Sequence, residues 1–207
     1  MNEVSFFIPL IACRERQNYV DELLEILPIN EVFYDDYKQG PLWNTIQALE
    51  SGKCKQATHI MMLQDDCIPC DNLIDICKRI VKTHPDKIIA MFPYDFMDEK
   101  RKPIENSDTP YYEAEILSGL GVILPSKYRD DYLRFCKGSP SWFEDVTLRL
   151  YCDKRGFRPI QTIPALLQHR VGKSLLTPDN EKAMARTVKY FTKSPVANWE
   201  SNKITIL

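Results

Sequence analysis

Glycine is scarce in this chain, with seven residues in 207, and neither Gly-x-Gly-x-x-Gly nor a Walker loop is present. The segment after the first apolar run, Ile11 to Asn18, contains no glycine at all. Dinucleotide oxidoreductases and P-loop enzymes use glycines there so that backbone amides can close on phosphate, so neither class has support. Net charge is also lacking: 27 Lys and Arg against 29 Asp and Glu leave a formal -2, which gives no electrostatic footprint for nucleic acid or an anionic membrane. The N-terminal apolar run Val4 to Ala12 has no basic segment before it and meets Arg14, Glu15 and Arg16 at once. That pattern fits neither a signal peptide nor a bilayer helix, so a cytoplasmic protein without membrane insertion is expected. Internal repeats and low-complexity segments are absent as well.

Cysteine is plentiful but follows no disulfide pattern. Seven residues, Cys13, Cys54, Cys67, Cys70, Cys77, Cys136 and Cys152, are scattered, mostly within apolar patterns, and read as reduced core thiols. Cys67 and Cys70 have the spacing of a zinc-ligand pair, but no second pair exists. Only Cys54, His59 or Cys77 could complete a site nearby, so the core reading is preferred.

What the chain does have is strands alternating with helices. Glu3 to Ile11 is a β-rich run; Val20, Leu23, Leu24 and Leu27 then fall at helical spacing. Asn30 to Tyr34 reads as a second strand ending in Asp35 and Asp36. A helix follows, with Pro41 in its first turn and Gly52 near its end. Ala57 to Leu63 is a continuous apolar run that stops at Gln64-Asp65-Asp66, as a strand covered on both faces would. Asp71 is expected to cap a helix running to His84-Pro85, and Lys87 to Phe92 reads as a fourth strand. Pro93 to Tyr112 reads as a loop over the strand ends, and Ala114 to Leu124 as one strand, with Ser118-Gly119 and Gly121 allowing a close approach. A helix over Ser126 to Cys136 and another after Glu144-Asp145, closing at Arg155-Gly156, precede a last strand at Arg158 to Ile163. Ala165 to Gln168 then leads to His169, and a helix is expected from Asp179 to Phe191. The alternation indicates a single α/β, Rossmann-like domain, with a mostly parallel central sheet flanked by helices.

Acids recur at element ends: Asp35 and Asp36, Asp65 and Asp66, Glu144 and Asp145. Each pair alone has an ordinary reading, as a polar turn or as a complement to a helix dipole. At the carboxyl end of a sheet strand, however, Asp65 and Asp66 offer oxygen donors where α/β domains bind ligands, which suits a divalent cation and the anion it carries.

Taken in order, these segments resemble the GT-A fold of nucleotide-sugar-dependent glycosyltransferases of a small bacterial or bacteriophage type. The resemblance covers most of residues 3 to 175, so that 1–175 is expected to form a GT-A-like domain and 176–207 a C-terminal helix and tail packing on it. Glu3 to Arg16 is similar to the first nucleotide-binding strand and loop, and Val32 to Asp36 to the strand whose end meets the base. Leu63-Gln64-Asp65-Asp66 resembles the metal-binding acidic motif, although Gln64 stands where many members have an acid. Phe143-Glu144-Asp145-Val146 is similar to the segment that supplies the acceptor-activating carboxylate, and Pro164 to His169 to the one that returns a histidine to the metal.

The resemblance implies a hexosyl- or pentosyltransferase moving a sugar from a nucleotide-sugar, with a UDP-sugar the first donor to expect, to an acceptor hydroxyl, with inversion the first route to expect and double displacement or a retaining front-face route left open. Asp66 and His169 are then the Mn²⁺ or Mg²⁺ ligands, with Asp65 assisting. Asp145 is the preferred base and Glu144 its alternate. Arg14, Arg16, Arg170 and Lys173 are candidates to balance phosphate charge, and Asp35 and Asp36 to meet the nucleoside. The acceptor is left open among glycan, protein and modified DNA base. The alternatives are a non-catalytic nucleotide- or glycan-binding protein on the same scaffold, or a nucleotidyltransferase.

Overall fold

A computed structural model of the chain describes residues 3–93, 109–114, 117–171, 175 and 191–205. Its centre is β4 (His59–Gln64), whose side chains alternate between two apolar layers, as a period of two requires. Met61 and Leu63 enter one layer with Val20 and Leu23 of α1 (Gln17–Ile26) and Cys77 and Ile80 of α3 (Leu73–Thr83). Ile60 and Met62 enter the other. There they meet Leu49 of α2 (Pro41–Glu50), Tyr132 of α4 (Arg129–Lys137) and Tyr151 of α5 (Glu144–Arg155). Ile60, Met61 and Leu63 are wholly excluded from solvent. The unbroken apolar run of the sequence is thus a strand covered on both faces.

The eight-stranded sheet is mixed and mostly parallel. β1 (Phe6–Phe7) and β2 (Pro9–Ala12) run parallel to β4, and β3 (Glu31–Tyr34) extends β2 in the same sense. On the other side of β4 lies β8 (Gly121–Pro125), antiparallel both to it and to β6 (Ile89–Ala90). β9 (Ile160–Thr162) is parallel to β6, and β7 (Tyr111–Glu113) closes the sheet antiparallel to β9. A second, two-stranded sheet pairs β5 (Cys67–Pro69) with β10 (Leu167–His169). The single α/β domain expected from the alternation is therefore observed.

Several local expectations are corrected. The stretch read as one strand from Ala114 to Leu124 is interrupted: Ser118–Leu120 turns, with the Ser118 hydroxyl accepting from the Leu120 amide at 3.3 Å, before β8 begins. Tyr111 and Tyr112, read as loop, are a buried edge strand. Asp71 does not cap α3. Asn72, in the left-handed region at φ 56°, is the N-cap, and Asp71 instead accepts from the Ser194 hydroxyl at 2.6 Å. Residues 94–108, which hold most of the expected loop, and 176–190, which hold most of the expected C-terminal helix, lie outside the described residues.

The stretch 191–205 lies against the sheet edge and α3. Trp199 is buried, the Tyr111 hydroxyl donates to its carbonyl at 2.5 Å, and Thr205 bridges to Tyr112. The seven cysteines are free, and all but Cys13 are buried.

Gly121 links the sheet to the site. A Cβ there would overlap the Leu167 side chain, so only glycine lets β10 lie this close to β8. Gly121→Ala is expected to lower stability by about 1–3 kcal/mol through overpacking, measured by urea unfolding.

Candidate active site

The site forms where β4 ends. Asp65 continues the strand's pairing, its amide donating to the Ile11 carbonyl at 3.0 Å, so both acids are fixed beside the end of β2. Both are buried, Asp65 at 3% and Asp66 at 6% exposure. Such placement demands partners, because a buried charge without them is costly.

Asp65 has three. Its Oδ2 accepts from the Cys13 amide at 2.9 Å and from the Cys13 thiol at 3.2 Å, and its Oδ1 accepts from Arg16 Nη1 at 2.9 Å. The same Nη1 donates to Asp66 Oδ2 at 2.5 Å. Burial, and next the neighbouring Asp66 charge, push the Asp65 carboxyl above its ordinary value, against the pull of Arg16 and the Cys13 amide. Burial also pushes the Cys13 thiol up to about 12, with the Asp65 charge adding to it.

His169 arrives through the small sheet, whose register sets it opposite Cys67, next to Asp66. The Arg170 amide donates to the Asp66 carbonyl at 2.8 Å, which pins the turn. His169 Nδ1 lies 2.6 Å from the Arg170 carbonyl oxygen, which can only accept, so Nδ1 carries a hydrogen and donates it. Nε2 faces Asp66 Oδ2, 3.3 Å away. Asp66 Oδ1 is buried and has no hydrogen-bond partner among the described residues.

A buried carboxylate with one orphaned oxygen and the other beside an imidazole nitrogen offers the oxygen and nitrogen ligands that suit a divalent cation. Among the described residues no group of three His, Cys, Asp or Glu side chains is gathered as a metal cage. The chain's own contribution would be Asp66 and His169, with further positions left to ligand and water, as magnesium-type sites commonly have.

The third acidic pair approaches from α5. Gln64 Nε2 donates to Glu144 Oε1, and the Glu144 carboxyl lies over Gly119, where a Cβ would overlap it. Burial, then the adjacent Asp145 charge, push Glu144 up to about 8. The residue as a whole is only half-buried, so it is the carboxyl group beneath this cover that is desolvated. Asp145 Oδ1 accepts from the Val146 amide at 2.7 Å. Of the two acids, Glu144 is the one joined to β4, through Gln64.

The remaining candidates are spread more widely. Arg14 is exposed and forks onto Asp36 at 2.8 and 3.2 Å while stacking over Tyr34 at 3.7 Å; this ion pair holds the Asp36 carboxyl below its ordinary value. Asp35 is occupied in closing the loop before α2, accepting from the amides of Gln39 and Gly40, each at 2.7 Å. Gly40, at φ 94°, needs glycine's freedom for that turn. Arg170 pairs with Glu22 at 2.5 Å, and Lys173 lies outside the described residues. The site thus joins Arg16, Asp65, Asp66, His169 and Glu144, with Arg14, Asp35 and Asp36 along its β2–β3 flank. The sequence reading passed over Cys13, for which no signal existed, and treated Gln64 only as a departure from an acid. Gly119 did carry a signal, but what approaches it is a side chain of the protein.

No protein-family model matches the chain, and no curated protein matches its sequence. Two solved structures are similar in outline. One is A197 from STIV, at 13% identity and a TM-score of 0.49, covering 80% of this chain and 86% of that one. The other is a glycosyltransferase involved in the glycosylation of the major capsid of PBCV-1, at 13% identity and a TM-score of 0.45, covering 81% and 96%. Among the described residues no helix is long and apolar enough to cross a membrane.

The raised Glu144 group has a consequence for stability. Between its ordinary 4.5 and about 8, the folded protein holds a proton that the unfolded chain releases, so this group withdraws stability as pH rises through that window. Glu144→Gln, which mimics the protonated form, is expected to match the wild type near pH 4 and to melt at higher temperature above pH 8, measured by thermal unfolding across pH.

Proposed function

We propose that the chain is a metal-dependent glycosyltransferase that moves a sugar from a nucleotide-sugar, a UDP-sugar in the first instance, to an acceptor hydroxyl. The observation that carries this reading is Asp66: a buried carboxylate at the end of the central strand, one oxygen without a partner among the described residues, the other facing Nε2 of His169. A bound Mn²⁺ or Mg²⁺ would supply Lewis-acid stabilisation of a departing diphosphate. Asp66 and His169 are the residues to hold it.

The rest of the chemistry belongs to the chain. Arg16, anchored in the same cluster, is placed to meet phosphate oxygens through charge-assisted hydrogen bonds. The β2–β3 flank, with Tyr34 under the Arg14 guanidinium, offers the nucleoside a flat, polar-edged surface. An acceptor hydroxyl needs a base as it attacks, and Glu144 suits that role: pushed up to about 8, it is a stronger base than an ordinary carboxylate and is held by Gln64. A base on the side opposite the leaving group gives inversion. Gln64, where an acid would repel Glu144, keeps that carboxylate attached to the metal strand.

The test is a thermal-shift panel of UDP-, GDP-, ADP- and CMP-sugars with and without Mn²⁺, followed by assay of nucleoside diphosphate release. Donor-specific, metal-dependent stabilisation is expected in the wild type and its loss in Asp66→Asn; absence of any stabilisation across the panel overturns the donor half of the reading. Glu144→Gln is expected to keep donor binding while transfer falls by about 10²–10⁴-fold. Transfer lost in Asp145→Asn but retained in Glu144→Gln would return the base to Asp145.

A further inference from the structure

Arg16 occupies the place a divalent cation would need. Its Nη1 bridges Asp65 Oδ1 at 2.9 Å and Asp66 Oδ2 at 2.5 Å, and Asp66 Oδ2 is the oxygen that faces His169 Nε2 at 3.3 Å. A cation held between Asp66 Oδ2 and His169 would lie about 2.0–2.6 Å from that oxygen, in the space the guanidinium fills. The positive charges also repel each other in a site too buried for water to screen them well. Resting on the metal-site reading above, we propose that Arg16 is an internal competitor for the metal, an arginine that stands in for the divalent ion and must leave Asp66 for the ion to enter.

The structure shows the first of the two states, and the partners it records would serve the second. With Arg16 in place, one guanidinium bridges the two acids and offsets part of their charge. With Arg16 withdrawn, Asp65 keeps the Cys13 amide and thiol, and Asp66 keeps the histidine and gains the ion. Arg16 sits at the end of the 3-10 turn Arg14–Arg16, on a side chain 18% exposed, so an outward swing needs a rotamer change and no rearrangement of the sheet. The released guanidinium is then available to the diphosphate. Metal alone should bind weakly and metal with diphosphate tightly, because the phosphates give Arg16 a second partner.

The experiment is titration of Mn²⁺ into the full chain, followed by the electron paramagnetic resonance signal of the free ion, with and without UDP. Arg16→Gln is expected to bind Mn²⁺ alone about tenfold or more tighter than the wild type and to lose most of the enhancement by UDP. Arg16→Lys, which retains charge should the glutamine variant fold poorly, is expected to shift in the same direction by less. Equal Mn²⁺ affinity in the wild type and both variants, abolished by Asp66→Asn, overturns the competition and leaves the metal site standing. No Mn²⁺ bound by any form overturns both.

Discussion

The structure depends on keeping two adjacent carboxylates, Asp65 and Asp66, inside the protein at the end of its central strand. Like charges so close in a low-dielectric setting cannot persist without donors, and the surrounding chain is arranged to supply them. Cys13 and Arg16 come from the turn after β2, and His169, at the end of β10, faces the Asp66 carboxylate. The buried pair therefore ties together three segments that are distant in sequence.

Strand direction delivers these partners. β2 runs parallel to β4, so both carboxyl ends open on the same edge, and the 3-10 turn carrying Arg16 lies beside the acids. β8 runs the other way, which brings its start, preceded by Gly119, to the same edge and lets the Glu144 carboxyl settle above it. The small β5–β10 sheet fixes His169 by register. Two glycines carry the tolerance for this crowding, Gly119 under Glu144 and Gly121 under Leu167.

Much of this was legible in the sequence, for physical reasons that can be named. β4 was readable because a strand buried on both faces has no polar residue until it ends, so Asp65 and Asp66 marked the boundary themselves. α5 was readable from acids in its first turn and Gly156 in the left-handed region after its last. The reversal of β8 was not, since hydrophobic periodicity carries no record of strand direction. β5 has three residues, too few for any pattern, and its existence depends on a partner some hundred residues later. Gln64 appeared as a missing acid because its hydrogen bond spans 80 positions, and no local pattern encodes a contact of that separation. Asp71 looked like a cap by residue type, but Lys193 and Ser194 claim it, and the helix starts from Asn72.

Cys13 has one more consequence. A thiol beside a candidate ligand site is ordinarily a hazard, prone to oxidation or to binding a metal ion itself, and both reactions require the thiolate. Here the Asp65 carboxylate accepts the thiol's hydrogen and, with burial, holds the group protonated. The same acid that anchors Arg16 thus acts as a chemical safety on the sulfur, leaving a soft ligand and nucleophile beside the site but out of its chemistry.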